Sequence, residues 1–199
     1  MSDKESLIPL VSAENSPVVD RLAVIEAWTP YDAVAKGWGP RAKLAASLIP
    51  PGVRIIDLGC GNQLLRTFLK SNASYTPADI APRTPETLII DLNDGKWPVG
   101  KWDWATALGV LEYIYDVDDF FRGMNHLADH MLFTYHVETV KGSYFQLADT
   151  VARGWVNHHS MADLVVAYEA AGWVTVKVSA FQCKKHYWQY IFVLRKIDP

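Results

Sequence analysis

Two cysteines are all that this 199-residue chain contains, Cys60 and Cys183. So few, so far apart, cannot form a disulfide framework, and no CxxC spacing exists to hold a metal. Cys60 falls in a glycine-rich turn, where a small buried residue is expected. No apolar run reaches the roughly 18 residues that a membrane-spanning helix needs. The N-terminus carries Asp3, Lys4 and Glu5 and leads into no apolar core, so no secretory leader is expected. Positive charge is not in excess: 19 Lys and Arg face 22 Asp and Glu, a formal net charge of −3. Nucleic-acid binders draw affinity from neutralising phosphates, so no nucleic-acid partner is expected. There is no internal repeat and no low-complexity segment. These absences point to a soluble, cytoplasmic, single-domain protein without membrane insertion.

Half of the residues are hydrophobic, enough for a real core. Eight Trp and nine Tyr stand out. They serve either general packing or an aromatic-lined pocket for a flat or sugar-like ligand.

Residues 1–17 are polar, contain Pro9 and Pro17, and are expected to form a flexible arm. The remainder, 18–199, is expected to be one domain. Residues 18–28 have helical spacing, with Val19, Leu22, Ala23 and Ile25 able to share a face. A second helix is expected over 40–48, with Pro40 in its first turn and Pro50 and Pro51 ending it. From there strands and helices alternate. Strands are expected at 53–57, 74–78, 87–90, 103–108, 130–135, 173–180 and 187–194, and helices at 62–70, 117–129 and 160–171. Such alternation predicts an α/β fold, a mostly parallel Rossmann-like sheet with helices on both faces and an antiparallel C-terminal strand. Residues 79–86, with Pro82 and Pro85, are too few for a crossover helix, so a shortened irregular connection is expected between strands 2 and 3. The last segment, KKHYWQYIFVLRK, is taken as an edge strand with solvated ends. Residues 137–159 make a long insertion suited to substrate recognition.

The central signal is Asp57-Leu58-Gly59-Cys60-Gly61-Asn62, after a strand and before a helix. Glycines there let the backbone turn sharply and approach a ligand, and the helix N-terminal N–H groups face it. Asp79 follows eighteen positions after Gly61, at the end of the next strand. A dinucleotide fingerprint wants a third glycine where this chain has Leu64, which argues against NAD. Asp91 ends the third strand. Two carboxylates at successive strand ends suit a nucleoside, one for ribose hydroxyls and one near the base.

In these stretches the chain resembles the class I S-adenosylmethionine-dependent methyltransferase family. IIDLGCGN is similar to that family's first motif, TPADI to its second with Asp79 as ribose ligand, and IIDLND to its adenine-reading segment with Asp91 and Leu92. WDWATALGVLEYIYD resembles the fourth-strand motif, with Leu111-Glu112-Tyr113 at the turn that follows. AYEAAGW before a strand resembles the family's ending. The resemblance runs from about position 40 to the C-terminus. It implies S-adenosyl-L-methionine as cofactor, held by Asp57, Gly59, Gly61, Asp79, Asp91, Leu92 and Leu108, with Arg41 on its carboxylate. Tyr31 and Trp38 fall where such proteins often lid the pocket. One departure is Gln63, where the family usually has a further glycine and where a side chain narrows the site.

Methyl transfer to a hydroxyl is helped by a general base. His136, at the fifth strand's end, and His158 are the candidates, with His159 and Glu112 behind them. An Asn/Asp-Pro-Pro-aromatic motif, a Pro-Cys nucleophile and an acidic metal cluster are all missing, so the acceptor is expected to be a small molecule or glycan with a hydroxyl or amine. The alternative is a non-catalytic protein of the same fold acting as a partner subunit, its pocket closed by Gln63.

Overall fold

A computed structural model describes residues 38–137, 154–184 and 187–197. The arm over 1–17, the helix expected at 18–28, Tyr31 and most of the insertion lie outside the described residues.

Seven strands form one sheet, β1 Arg54–Leu58, β2 Ser74–Asp79, β3 Leu88–Ile89, β4 Trp102–Leu108, β5 Ala128–Tyr135, β6 Trp173–Lys184 and β7 Tyr187–Lys196. Their order is β3-β2-β1-β4-β5-β7-β6. β3, β2, β1, β4 and β5 pair in parallel, and β7 runs antiparallel between β5 and β6. The order reverses at β1, so the carboxyl ends of β1 and β4 flank the crevice where open α/β sheets bind ligands.

Alternation along the strands builds two apolar layers. Ile55, Trp104, Leu132, Ile191 and Val193 face one side, where helices α1 Gly39–Leu48 and α2 Leu64–Phe68 supply Ala45, Ala46 and Leu65. Ile56, Ala105, Met131, Phe133, Phe192 and Leu194 face the other, beneath α3 Val117–Leu127 and α4 Met161–Ala170. Phe120, Phe121, Met124 and Leu127 form the buried stripe of α3, the spacing one amphipathic helix requires. Trp173, fully buried, donates its indole N–H to the Phe121 carbonyl at 2.9 Å, locking α3 to the start of β6.

The helix ends follow local chemistry. Pro40 occupies the first turn of α1, where its missing N–H costs nothing. Asp116 caps α3 by accepting the Asp119 N–H at 2.7 Å. Ser160 and Asp163 cap α4 reciprocally, a capping box.

The α/β class, the antiparallel C-terminal strands and the helix-free connection between β2 and β3 agree with the sequence expectation. Several boundaries move. Residue 63 is left-handed, so α2 starts only at Leu64 and is half the expected length. Ala128 and Asp129 belong to β5 rather than to the preceding helix. The expectation of a C-terminal edge strand is wrong: β7 is interior and β6 is the edge. The physical reason lies in its own run, since Ile191, Phe192, Val193 and Leu194 are all buried, as a strand covered on both faces requires.

Candidate functional site

The glycine loop leaves β1 through two left-handed glycines, Gly59 at φ +68° and Gly61 at φ +49°. A Cβ on Gly59 would lie 2.3 Å from Val110 Cγ2, so the loop after β1 touches the loop after β4 with no room for a side chain. A Cβ on Gly61 would meet nothing within 4 Å; there the backbone borders open space. The Cys60 N–H donates to the Ala78 carbonyl at 3.0 Å, extending the β1–β2 pairing into the loop. Cys60 is buried as expected, and burial raises its thiol well above the ordinary value, which keeps it protonated and inert.

Asp79 ends β2 and is buried. Its Oδ2 accepts the Gly61 N–H at 2.8 Å. Its Oδ1 accepts the Ala81 N–H at 3.0 Å and pairs with the Arg83 guanidinium at 3.3 Å. Asp57 lies below the loop. Its two oxygens accept the Tyr75 hydroxyl at 2.6 Å and the Thr106 hydroxyl at 2.7 Å, so it braces β2 and β4 from the end of β1. Burial pushes its carboxyl up to about 6, against the pull of those two hydroxyls. Asp91, after β3, accepts the Asn93 N–H at 2.9 Å in a tight local turn. Asn93 then joins this turn to the one after β4, donating to the Tyr113 carbonyl at 3.0 Å and accepting the Tyr115 N–H at 3.0 Å. Leu92 packs on the α3 side of the core and Leu108 on the α1 side.

Gln63 is non-glycine and left-handed at φ +58°, the conformation a glycine adopts without strain. Its side chain donates to Thr84 Oγ1 at 3.1 Å and accepts from Arg66 at 3.3 Å. It therefore ties the glycine loop to the short β2–β3 connection.

Beyond the ends of β4 and β5 lies a buried polar group. Arg41, from α1, packs so closely on Gly109 that a Cβ there would lie 2.6 Å from its Nη1. The Trp38 ring sits 5.5 Å from the same guanidinium. Arg41 donates to Gln189 Oε1 at 3.3 Å, and Gln189 Nε2 donates to Glu112 Oε1 at 3.4 Å. Glu112 Oε1 also accepts the His136 N–H at 3.1 Å. Burial raises the Glu112 carboxyl above its ordinary value. The His136 ring sets its Nδ1 2.6 Å from the Trp188 carbonyl. A carbonyl only accepts, so Nδ1 carries the hydrogen and Nε2 is the basic nitrogen. The ring lies 5.4 Å from that of Trp155, whose indole N–H donates to the Tyr113 hydroxyl at 3.2 Å. His158 is exposed. His159 is half-buried, and burial lowers its imidazole below the ordinary value.

Thus Gly61 and Asp79 are joined where β1 and β2 end, Asp57 braces the end of β1 beneath Gly59, Arg41 reaches from α1 to Gly109 after β4, and His136 follows the end of β5. Three contributors escaped the sequence reading. Arg83 pairs with Asp79, Gln189 links Arg41 to Glu112, and Asn157 donates at 2.7 Å to both the Leu111 and the Ile114 carbonyls and accepts the Tyr135 hydroxyl at 2.7 Å. Only Arg83 left a signal, a cation four positions past an acidic strand end in a loop that must fold back. No metal-binding cluster of His, Cys, Asp or Glu occurs among the described residues, and no described helix is long and apolar enough to cross a membrane.

No protein-family model and no curated protein matches the sequence. Solved structures do. The 1,6-didemethyltoxoflavin-N1-methyltransferase of Burkholderia thailandensis, with 1,6-didemethyltoxoflavin and S-adenosylhomocysteine bound, matches with a TM-score of 0.71 at 14% identity, over 97% of this chain and 94% of that one. Magnesium protoporphyrin IX methyltransferase from Synechocystis, with S-adenosylhomocysteine, gives 0.69 at 16%, over 88% and 99%. The cyclase SpnF gives 0.63 at 14%, over 81% of each chain. At these identities the comparison establishes the fold, which is that of the class I methyltransferases. A cyclase among the matches shows that the fold alone does not select the reaction.

Proposed function

We propose that the chain is an S-adenosylmethionine-dependent methyltransferase acting on a hydroxyl or amine of a small-molecule or glycan acceptor. The observation that carries this reading is the bond from the Gly61 N–H to Asp79. It sets a glycine cradle and an acidic strand end against one another, beside a loop position with open space in front of it. That is the geometry a nucleoside needs, and Leu64 at the start of α2 leaves no dinucleotide glycine.

In this reading Gly59 and Gly61 let the backbone approach the cofactor. Asp79 receives the ribose hydroxyls, Asp91 and Leu92 border the adenine, and Leu108 closes the β4 side. Asp57 holds the end of β1 through Tyr75 and Thr106, and Arg41 takes the carboxylate of the amino-acid end with its planar fork. When bound, S-adenosylmethionine supplies a methyl group on a sulfonium, which becomes a neutral thioether as the acceptor oxygen gains the methyl. His136 receives the acceptor proton on Nε2, with its tautomer fixed by the Trp188 carbonyl. His158, exposed, is the second candidate for that proton. Tyr113 and Trp155 stand beside His136, a surface suited to an apolar or ring-shaped acceptor. The chain works as a soluble cytoplasmic protein without nucleic acid.

A methyl-transfer assay against activated sugars and small phenols tests this. His136→Ala is expected to lose about 10²–10⁴-fold in turnover and keep its cofactor affinity. Normal turnover in that variant removes His136 from the mechanism, and methylation of nucleic acids or proteins alone refutes the acceptor class.

The Asp79–Arg83 pair favours a second reading, a non-catalytic subunit. There the guanidinium keeps the ribose position and Gln63 keeps the loop shut. Nucleoside binding separates the two.

A further inference from the structure

Arg41, Gln189 and Glu112 come from α1, β7 and the turn after β4, and each is more than nine-tenths buried. Burying two charged side chains is an expensive way to join three elements, since removing them from water offsets most of their attraction. An apolar trio would pack the same space without that cost, so packing alone does not account for them.

The chemistry of the trio fixes its arrangement. A guanidinium only donates, and an ionised carboxylate only accepts. The Gln189 amide stands between them and therefore has one orientation, Oε1 toward Arg41 and Nε2 toward Glu112. Glu112 is itself held by the His136 N–H through the same oxygen, Oε1, while its Oε2 has no hydrogen-bond partner among the described residues. Gly109 completes the mount, because any side chain there would push the guanidinium away.

Building on the proposed cofactor, we infer that Gln189 is a positioning residue. Its amide, anchored by Glu112, holds the Arg41 guanidinium against Gly109, in place to receive the carboxylate of the cofactor's amino-acid end. Gln189 touches no ligand itself; it acts through Arg41. Its effect is therefore confined to ligands that carry the carboxylate.

Titration calorimetry with two nucleosides tests this. S-adenosylhomocysteine has the amino-acid end, and 5′-methylthioadenosine lacks it. The wild type is expected to bind the first at least tenfold more tightly. Gln189→Met keeps the shape and removes the hydrogen bonds to Arg41 and Glu112. It is expected to weaken S-adenosylhomocysteine about 5- to 20-fold and to leave 5′-methylthioadenosine within twofold, which also shows that the variant is folded. Gln189→Glu loses the donor to Glu112 and sets two carboxylates against each other, so it too is expected to weaken S-adenosylhomocysteine while sparing 5′-methylthioadenosine. In an Arg41→Met background, Gln189→Met is expected to change nothing further. Equal loss for both nucleosides, an unchanged preference, or an effect that persists without Arg41 overturns the inference. A wild type that binds both equally overturns it while leaving the cofactor reading in place. A wild type that binds neither overturns the cofactor reading, and this inference with it.

Discussion

The Asp79 carboxylate accepts the Gly61 backbone N–H at 2.8 Å, so the acidic end of β2 and the turn after β1 form one unit. Asp79→Ala removes the proposed ribose acceptor and a loop anchor together. A hydrogen bond to a charged group contributes roughly 1.5–3 kcal/mol. S-adenosylhomocysteine affinity is therefore expected to fall about 10- to 100-fold by titration calorimetry. Unchanged affinity would remove Asp79 from the nucleoside site.

Gln63 poses a backbone question with a side-chain control. Gln63→Ala and Gln63→Gly both lose the bonds to Thr84 and Arg66. Only the alanine keeps the left-handed penalty of roughly 1–2 kcal/mol, partly offset by glycine's greater freedom when unfolded. Gln63→Gly is thus expected to be more stable than Gln63→Ala by about 1 kcal/mol in urea melts. The opposite order would mean that residue 63 is not left-handed in solution.

Asp57 makes stability depend on pH. Its folded carboxyl titrates at about 6, above the ordinary value near 3.8, because burial disfavours the charge. The folded state therefore binds a proton that the unfolded chain has already released. That contribution is complete below about pH 4 and is lost as pH rises through about 6, amounting to on the order of 2–3 kcal/mol. Asp57→Asn cannot titrate. The stability difference between wild type and Asp57→Asn, followed by urea melts, is expected to shift against the wild type over this window. A flat difference would show that Asp57 does not titrate there.

Asn157 holds the returning chain to the turn after β4 through both of its amide donors. Asn157→Ala leaves the Leu111 and Ile114 carbonyls and the Tyr135 hydroxyl without it. Each lost partner costs about 1 kcal/mol or more. The thermal midpoint is expected to drop by roughly 5–10 °C, with the His136 region most exposed to hydrogen exchange. A drop under about 2 °C would show that water replaces the amide.

What the sequence made legible is what depends on short stretches of chain. Gly59, Gly61, Asp79 and Asp91 sit at fixed offsets from strand ends, so motif order placed them at those ends and alternation located most strands. Contacts between distant segments were not legible. Arg41 and Gln189 are 148 positions apart, and only the folded sheet order brings α1 and β7 to the same end. β7 was expected to be an edge strand with solvated ends around the core-like run YIFVL. Its buried centre shows that the interior of the strand, not its ends, decided its place. The left-handed backbone at Gln63 does not show in the glutamine itself; its one trace was the glycine usual at that position in the family the chain resembles.

Titration calorimetry of the full chain with S-adenosylhomocysteine, with NAD in parallel, tests most directly the proposed nucleoside site at Gly59, Gly61, Asp79 and Asp91. The expected result is saturable heat at one site per chain for S-adenosylhomocysteine and none for NAD. No heat with S-adenosylhomocysteine, or saturable binding of NAD, would contradict it.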